Sequence, residues 1–547
     1  MKINNSSLPN TLVTINKILL KDGFSSTILI LVGLIYLLPS LKTPFIGDND
    51  YWSNLLPVIH FRNSILNEHV FPTFTELWYG GRAQWQNPLW SFFYLPSTII
   101  WLILPLDWGA RVIVTLHVIF SLLVGKQLSS LFIPSPVGRI TTSIILVAPM
   151  LPALLAGHLE KIMAWGWVLL ALYLLLDEKR SLIRRGTYSG LCLGTIALIG
   201  ANYYVLYTGI ILIPLAISFR KWKIVIGLFM GALTGLLHLP SVWYLVGHIR
   251  GSSAIAVDYF STDLLGVFTS LASGYAKPYG WESWALIGLP VVYLFFRSII
   301  LQIHDFFKNK SRLINPQKIA ILFSLAVLIL FSTGFIYKGH HLFDTFRVPV
   351  RAIAFVALAT VLYLLIDTSG HLSEHPKSEN HRVFLIFLIT SVFQISIMSM
   401  IHLRPPGSVH SPYDTEVQAL AGILRADKAQ SVWVTNLNVR EKVSDPKSFQ
   451  ESTLEFQDTY IEVVLSDNGF ALPNVYYGDM GQTIPIEGPY CGYSFDHVIA
   501  TMGDNDIELV SKLSHQKMGI IPKNKLRLVG RSMIEETIVY IYRIVCE

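Results

Sequence analysis

The chain is poor in charge and in cysteine. Asp, Glu, Lys and Arg make up 14% of its 547 residues, against about 25% in a soluble domain, so an ordinary soluble globular protein is excluded. Three cysteines, Cys192, Cys491 and Cys546, are too few for a zinc cluster of paired cysteines. There is no Walker loop, no glycine fingerprint after a strand and no HExxH helix. That leaves nucleotide-driven transport and nucleotide-sugar chemistry on a soluble fold without support. The formal net charge of +6 is not a nucleic-acid signal, because Lys and Arg cluster between apolar runs, as the positive-inside bias produces. No internal repeat is visible. Residues 1–23 are polar, the apolar run after them is too long for an h-region, and no small-residue cleavage site follows. The start therefore reads as a retained first span and not as a cleavable signal peptide.

What the chain does have is apolar sequence, 52% of residues, and aromatics, 12%, with 13 Trp and 24 Tyr. Runs of the 17–25 residues that span hydrocarbon lie near 24–41, 110–132, 140–156, 161–177, 223–246, 284–302, 318–336, 350–367 and 382–402. Two more, 187–201 and 203–219, meet at Gly200-Ala-Asn-Tyr-Tyr204. The run 91–106 contains Pro96 and Pro105 and is either a tilted span or a half-helix that does not cross. The expected fold is mainly α: a polytopic bundle of about 11–13 spans or half-spans in residues 1–402. A small α/β or α+β domain over 403–547 is expected to follow, long enough for its own core.

Basic clusters at Lys179–Arg185, Arg220–Lys223 and Lys308–Lys318 mark cytoplasmic loops. With the N terminus inside and 91–106 not crossing, loop 42–90, Gly157–Lys161, segment 247–283, Tyr337–Arg351 and the tail from about 403 are all outside. Loop 42–90 is too long for a simple connection. Its stretch Asp50–Asn67 reads as an amphipathic helix on the outer surface, followed by loop through Glu76–Arg82 and Gln84–Trp90. Segment 247–283 reads as a second outer loop and 368–381 as a cytoplasmic linker. In the tail, β-like runs fall at Ser431–Thr435, Tyr460–Leu465, Met518–Ile521, Leu526–Val529 and Thr537–Arg543, and helical pattern at Asp414–Ala426 and Asp506–Leu513.

Charge near hydrocarbon is costly, so the ionisable residues at the membrane edge are the candidates for chemistry. Asp48 and Asp50 follow the first apolar run within a few residues. In a turn both carboxylates can face one pocket, as a general base requires; alternatively one caps the following helix. Gly157-His158-Leu159-Glu160-Lys161 is either a functional cluster or a solvated turn with a snorkelling lysine. Arg347 and Arg351, after Lys338, His340, His341 and Asp344, suit a lipid phosphate, since guanidinium binds phosphate bidentately; the alternative is anchorage to ordinary anionic headgroups. His340-His341 alone makes no metal site. Arg82, Trp85 and Trp90 either stack on sugar and grip phosphate or anchor the interface. Asn202-Tyr203-Tyr204 either lines a cavity or makes a tight polar turn. Cys192 reads as packing. Cys491 and Cys546 could pair if the tail is outside, two free thiols being the alternative.

The transmembrane start, acid-bearing outer loop, amphipathic outer helix, the run from Asn87-Pro-Leu-Trp90 to Trp108-Gly-Ala-Arg111, and Gly157–Lys161 two apolar runs later resemble the GT-C membrane glycosyltransferases. The acid-Tyr opening, Trp-Tyr-Gly-Gly stretch, Ala-Gly-His hairpin and Arg-x-Pro-x-Arg segment resemble the YfhO-type bacterial members most. The resemblance covers most of 24–370 and implies transfer of a sugar from a polyprenyl-phosphate donor at the outer leaflet to an envelope glycan, lipid or protein. It implies a base at Asp48 or Asp50, a second acid at Glu160, and phosphate held by Arg347, Arg351 and His158. The second site reads His-Leu-Glu where the superfamily more often has Asp. Some branches need a divalent metal, and no other cofactor is implied. The expected partners are the lipid-linked donor, membrane lipids and the acceptor, with no nucleic acid. A flippase of lipid-linked glycans, with the pair 187–219 as a midplane site, and a non-catalytic envelope scaffold are the alternative readings.

Overall fold

The computed structural model describes residues 22–37, 49–67, 91–150, 158–238, 261–274, 285–308, 315–337, 349–374, 379–402, 415–434, 490–500, 506–510, 517–534 and 537–545, and short pieces at 69, 71, 74–75, 82–83, 461, 465 and 468–470. Three helices among these are long and apolar enough to cross a membrane: Trp108–Ser130, Leu159–Leu176 and Val350–Thr368. Shorter apolar helices of 10–17 residues surround them, among them Gly23–Leu34, Pro316–Ser332 and Val383–Met398. The architecture is mainly helical with a small mixed sheet near the C terminus.

Leu159–Leu176 is the hub. Beyond its first turn it is apolar on all sides, and Ile162, Trp165, Val168, Leu169, Leu172 and Leu175 are fully buried, as expected of a helix enclosed by others. The indole of Trp165 donates to the Leu146 carbonyl at 3.0 Å, which satisfies its one polar atom inside the core. Ile353–Glu374 is the second buried helix, and Trp165 meets its Phe355 edge-on at 5.4 Å.

The run 91–106 contains a helix of only nine residues, Leu95–Ile103, about 14 Å long and half of the hydrocarbon thickness. Extended Leu104 and Pro105 then turn the chain into Leu106–Ser130. Arg62 caps the short helix from outside by donating to the carbonyls of Trp101, at 2.7 Å, and Leu104. A cation on the free carbonyls of a C-terminus complements the helix dipole. Arg62 belongs to Asn49–Leu66, the helix expected over Asp50–Asn67, and Phe61 stacks on Phe92 at 3.9 Å beside it. The loop that follows is folded back at least in part: β1 (Phe74–Thr75) pairs antiparallel with β2 (Arg82–Ala83).

Leu182–Leu198 and Asn202–Ser218 have 17 residues each, about 25 Å. They are two helices meeting at a turn where Gly200 takes positive φ, not the halves of one broken span. Leu182–Leu198 packs unusually close to Trp222–Ala232 and the 3-10 turn Leu233–His238. Gly186, Gly190 and Gly194 face Gly227, Gly231 and Gly235, each set spaced by four, and small residues at that spacing let helix backbones touch.

Four expected segments differ. Segment 247–283 is not simply loop: Leu264–Ser273 is a helix whose Val267 and Leu271 are buried. Asp263 caps it by accepting from the Gly266 N–H, and Gly274 ends it in the left-handed region. The linker 368–381 is largely helical, since Ile353–Glu374 and Glu379–His402 run into it from both sides. In the tail, Asp506–Leu513 holds a strand, not a helix. Ile507 and Leu509 are buried with Glu508 between them, and the alternation pairs β5 (Ile507–Val510) with β6 (Lys517–Ile521). Conversely, Ile461 and Leu465 in the expected strand 460–465 are helical and both buried.

The larger sheet has the order β3-β4-β8-β7. β3 (Val432–Val434) runs parallel to β4 (His497–Ala500), and β7 (Leu526–Ile534) and β8 (Thr537–Ile544) complete it antiparallel. Thr415–Ala426 covers one face with Val417, Leu420, Ala421 and Leu424. Beside the parallel pair, buried His497 lies between two carboxylates: Nε2 is 3.0 Å from Asp427 and Nδ1 3.1 Å from Asp496. Arg543 lies 3.6 Å from the same Asp427. Burial alone would lower the His497 pKa, but Asp496 and Asp427 outweigh it and hold it above the usual value. Burial likewise raises Asp496, and the adjacent His497 together with hydrogen bonds from the N–H groups of Gln430 and Ser431 outweighs that and holds it below the usual value.

The signs set a pH window. The His497 contribution is complete below the ordinary histidine pKa and is lost as pH rises through the raised one. The Asp496 contribution is complete above the ordinary aspartate pKa and is lost as pH falls through the lowered one. These two groups therefore both support the sheet fully between about pH 4 and 6.5. Hydrogen exchange of Val432–Val434 and His497–Ala500 in the full chain, corrected for intrinsic rates, should show openings becoming more frequent from pH 6 to 9. His497→Gln should flatten that rise.

Candidate functional site

Three sequence motifs far apart in the chain meet at one end of the bundle. His158 occupies the N-cap position of Leu159–Leu176, and Glu160 is in its first turn. Tyr203 and Tyr204 are in the first turn of Asn202–Ser218. Arg351 lies in the 3-10 turn Pro349–Ala352 that leads into Ile353–Glu374. Each motif interrupts apolar sequence at the start of a helix, so folding the bundle brings three helix N-termini together.

Rings hold them in register. Tyr204 meets Trp165 at 5.7 Å and Phe355 at 4.9 Å, both edge-on. Tyr207, one turn further, meets Phe355 and Phe331. Such pairs contribute about 0.5–1.5 kcal/mol each beyond their buried area, so this floor is rigid. On it, the Arg351 guanidinium lies 4.8 Å over the Tyr203 ring, a cation–π contact that leaves its N–H fork directed by a flat, apolar support. The Tyr204 hydroxyl is within electrostatic reach of both Glu160 and Arg351.

Glu160 accepts a hydrogen bond at Oε1 from His158 Nδ1, 3.1 Å away, and the two side chains are 11% and 6% exposed. Lys161 is buried beside them and also acts on the Glu160 charge. The cluster is thus an enclosed ionic group, not a solvated turn with a snorkelling lysine. Glu160 Oε2 is buried and has no hydrogen-bond partner among the described residues. A carboxylate oxygen without a donor in such a place is suited to a hydroxyl from a ligand. The three N-termini add a positive field that suits an anion.

The structure thereby brings together Glu160, His158 and Arg351 of the expected site residues. Asp50 is in the first turn of Asn49–Leu66, just inside the helix start, and Arg82 is paired with Thr75 across β1 and β2; the side chains of both lie outside the described residues. So do Asp48, Trp85, Lys338 and Arg347. Cys192 is a free buried thiol. Cys491 is disulfide-bonded, and Cys546 lies outside the described residues. Among the described residues, no three His, Cys, Asp or Glu side chains group to hold a metal ion. The aromatic floor leaves no signal in the sequence: Trp165, Tyr207, Phe331 and Phe355 sit in apolar runs where nothing sets them apart from packing.

The fold is similar to that of a solved structure. In particular, the arabinofuranosyltransferase AftD from Mycobacteria aligns over 100% of this chain and 40% of its own, with TM-score 0.51 and 12% identity. The oligosaccharyltransferase of Archaeoglobus fulgidus aligns over 88% of this chain and 70% of its own, with TM-score 0.48 and 13% identity. At such identity the likeness is one of fold, and this chain spans less than half the length of AftD. No family model matches the sequence, and no curated protein does.

Proposed function

We propose that the protein is a membrane glycosyltransferase that moves a sugar from a polyprenyl-phosphate donor to an acceptor of the cell envelope. The observation that carries this reading is the convergence of Glu160–His158 with Arg351 on the Tyr203–Tyr204 turn, on a fold similar to GT-C enzymes. In it, Arg351, with Arg347, grips the donor phosphate. Glu160 accepts a hydrogen bond from a sugar hydroxyl through Oε2, and His158 fixes the carboxylate. Asp48 or Asp50, delivered by the loop that carries Asn49–Leu66, takes the acceptor proton as the acceptor oxygen attacks the anomeric carbon and the lipid phosphate departs. The phosphate is already a good leaving group, so most of the catalysis is positioning and charge.

Residues 1–402 form the membrane part in this reading, and 403–547 an extracytoplasmic domain that holds or recognises the acceptor, with Cys491 and Cys546 paired there. The Trp-Tyr-Gly-Gly and Arg-x-Pro-x-Arg motifs extend the reading to the YfhO-type subfamily. The test is transfer by purified protein in lipid from a pool of labelled polyprenyl-phosphate sugars to envelope acceptors. Labelled acceptor that accumulates with enzyme and time is the expected result. A folded protein that transfers from none of the donors overturns the proposal.

A further inference from the structure

A second polar group, outside the candidate site, ties its parts together. Tyr94 stands immediately before the short helix Leu95–Ile103. Its hydroxyl lies 2.7 Å from His117 Nε2 on Leu106–Ser130 and 3.0 Å from Trp167 Nε1 on Leu159–Leu176. His117 Nδ1 lies 2.6 Å from the Ile113 carbonyl. Tyr94 and His117 are both buried.

The donors and acceptors in this group have one consistent assignment. A carbonyl only accepts, so His117 Nδ1 carries a proton. An indole only donates, so the Tyr94 oxygen accepts from Trp167. The Tyr94 hydroxyl then donates to His117 Nε2, and every polar atom in the chain is satisfied by a neutral imidazole. A second proton on His117 would turn Nε2 into a donor and strand the Tyr94 hydrogen in the core, at the cost of an unmade buried bond.

The ends of this chain are what give it a role. Trp167 is seven residues after Glu160 on one helix, two turns along on the same face, about 10 Å away. Tyr94 begins the short helix that Arg62 and Phe61 clamp to Asn49–Leu66, the helix that carries Asp50 at its start. The Tyr94 hydrogen bonds at one end of the short helix, and the Arg62 and Phe61 contacts along it, therefore join the helix of Glu160 to Asn49–Leu66.

We propose that Tyr94, held between Trp167 and His117, is a positioning residue that fixes Asn49–Leu66, the helix with Asp50 in its first turn, relative to the helix of Glu160 for glycosyl transfer. The proposal rests on the function proposed above. Tyr94 reaches neither donor nor acceptor in this role; it sets where the helix Asn49–Leu66 stands.

Tyr94→Phe removes both bonds and keeps the ring. In the transfer assay its kcat should fall about 10²-fold, the usual effect of roughly 1 Å of misplacement, with the KM for the lipid donor unchanged, because no donor contact is touched. His117→Phe should do the same, and His117→Gln, which offers an amide oxygen to the Tyr94 hydroxyl, should restore most of the rate. Spin labels at Asn67→Cys and Lys179→Cys, on exposed residues, give a readout that needs no activity. Their distance distribution by pulsed EPR should broaden in Tyr94→Phe at an unchanged thermal midpoint. Unchanged turnover, or an unchanged distribution, overturns the proposal. If the unaltered protein transfers no sugar, the functional reading has failed and the distances alone decide whether Tyr94 positions the loop.

Discussion

Replacing Gly190 by Leu is expected to prevent the bundle from assembling. Gly190 lies where Leu182–Leu198 meets Trp222–Ala232, and even a single methyl there would stand 2.1 Å from the Leu228 carbonyl oxygen. The neighbour is backbone, which no rotamer change can move aside. From the opposite helix, a methyl on Gly231 would stand 2.2 Å from the Thr187 carbonyl oxygen. The helices would have to separate by more than an ångström along a seam that repeats at Gly186, Gly194, Gly227 and Gly235. Association of such helices depends on van der Waals contact at short range, because lipid offers no hydrophobic driving force between them. Gly190→Ala should cost about 2–3 kcal/mol, the upper part of the overpacking range, and Gly190→Leu more than the chain can absorb. Gly209→Ala is the control: it is in the neighbouring helix Asn202–Ser218, where nothing lies within 4 Å of an added methyl, and alanine there should be neutral or slightly stabilising. Thermal midpoints and gel-filtration profiles in detergent separate the three. A Gly190→Leu protein as stable and monodisperse as the unaltered one would mean that the seam is not closed in the membrane.

The same seam shows where sequence reading stops. Long apolar runs announce their helices because every residue must be apolar to lie in lipid or core, and 161–177 and 350–367 are found as Leu159–Leu176 and Val350–Thr368. The partner of each run is not announced in that way. The glycines of Leu182–Leu198 are legible only once a second set at the same spacing is laid against them, which needs the three-dimensional neighbour. The candidate site divides similarly. His158, Glu160 and Arg351 stand out as charges at the edges of apolar runs, but their meeting at the Tyr203–Tyr204 turn depends on the order of helices in the bundle. Trp165, Phe355 and His117 carry no mark, since an aromatic or imidazole inside an apolar run looks like core until its partner is known. The strand Ile507–Val510 is a different case. Its alternation is plain in Ile-Glu-Leu-Val, but with Asp before it four residues fit one turn of helix as well, and only the pairing with Lys517–Ile521 decides.

Glu160→Gln tests the proposed chemistry most sharply, because the substitution preserves shape and removes charge. The carboxylate sits between His158 and a field from Lys161 and its own helix start, so the fold should tolerate the amide. What is lost is a charge-assisted acceptor at Oε2, worth about 1.5–3 kcal/mol to a sugar hydroxyl. At 1.4 kcal/mol per tenfold, kcat/KM should fall about 10- to 100-fold in the polyprenyl-phosphate assay. If the bond strengthens as the anomeric centre becomes cationic, the loss is in kcat; if it holds the donor equally before and during reaction, the loss is in KM. Asp48→Asn and Asp50→Asn belong beside it. The one that supplies the base should lose about 10²- to 10⁴-fold in kcat, and the other should change little. A double variant of that aspartate with Glu160→Gln should lose less than the product of the two factors, because both acids act on one transition state and their effects are not independent. Full multiplicativity would separate the two acids into different steps, and an undiminished Glu160→Gln enzyme would remove this carboxylate from the reaction while leaving the first-loop acids in place.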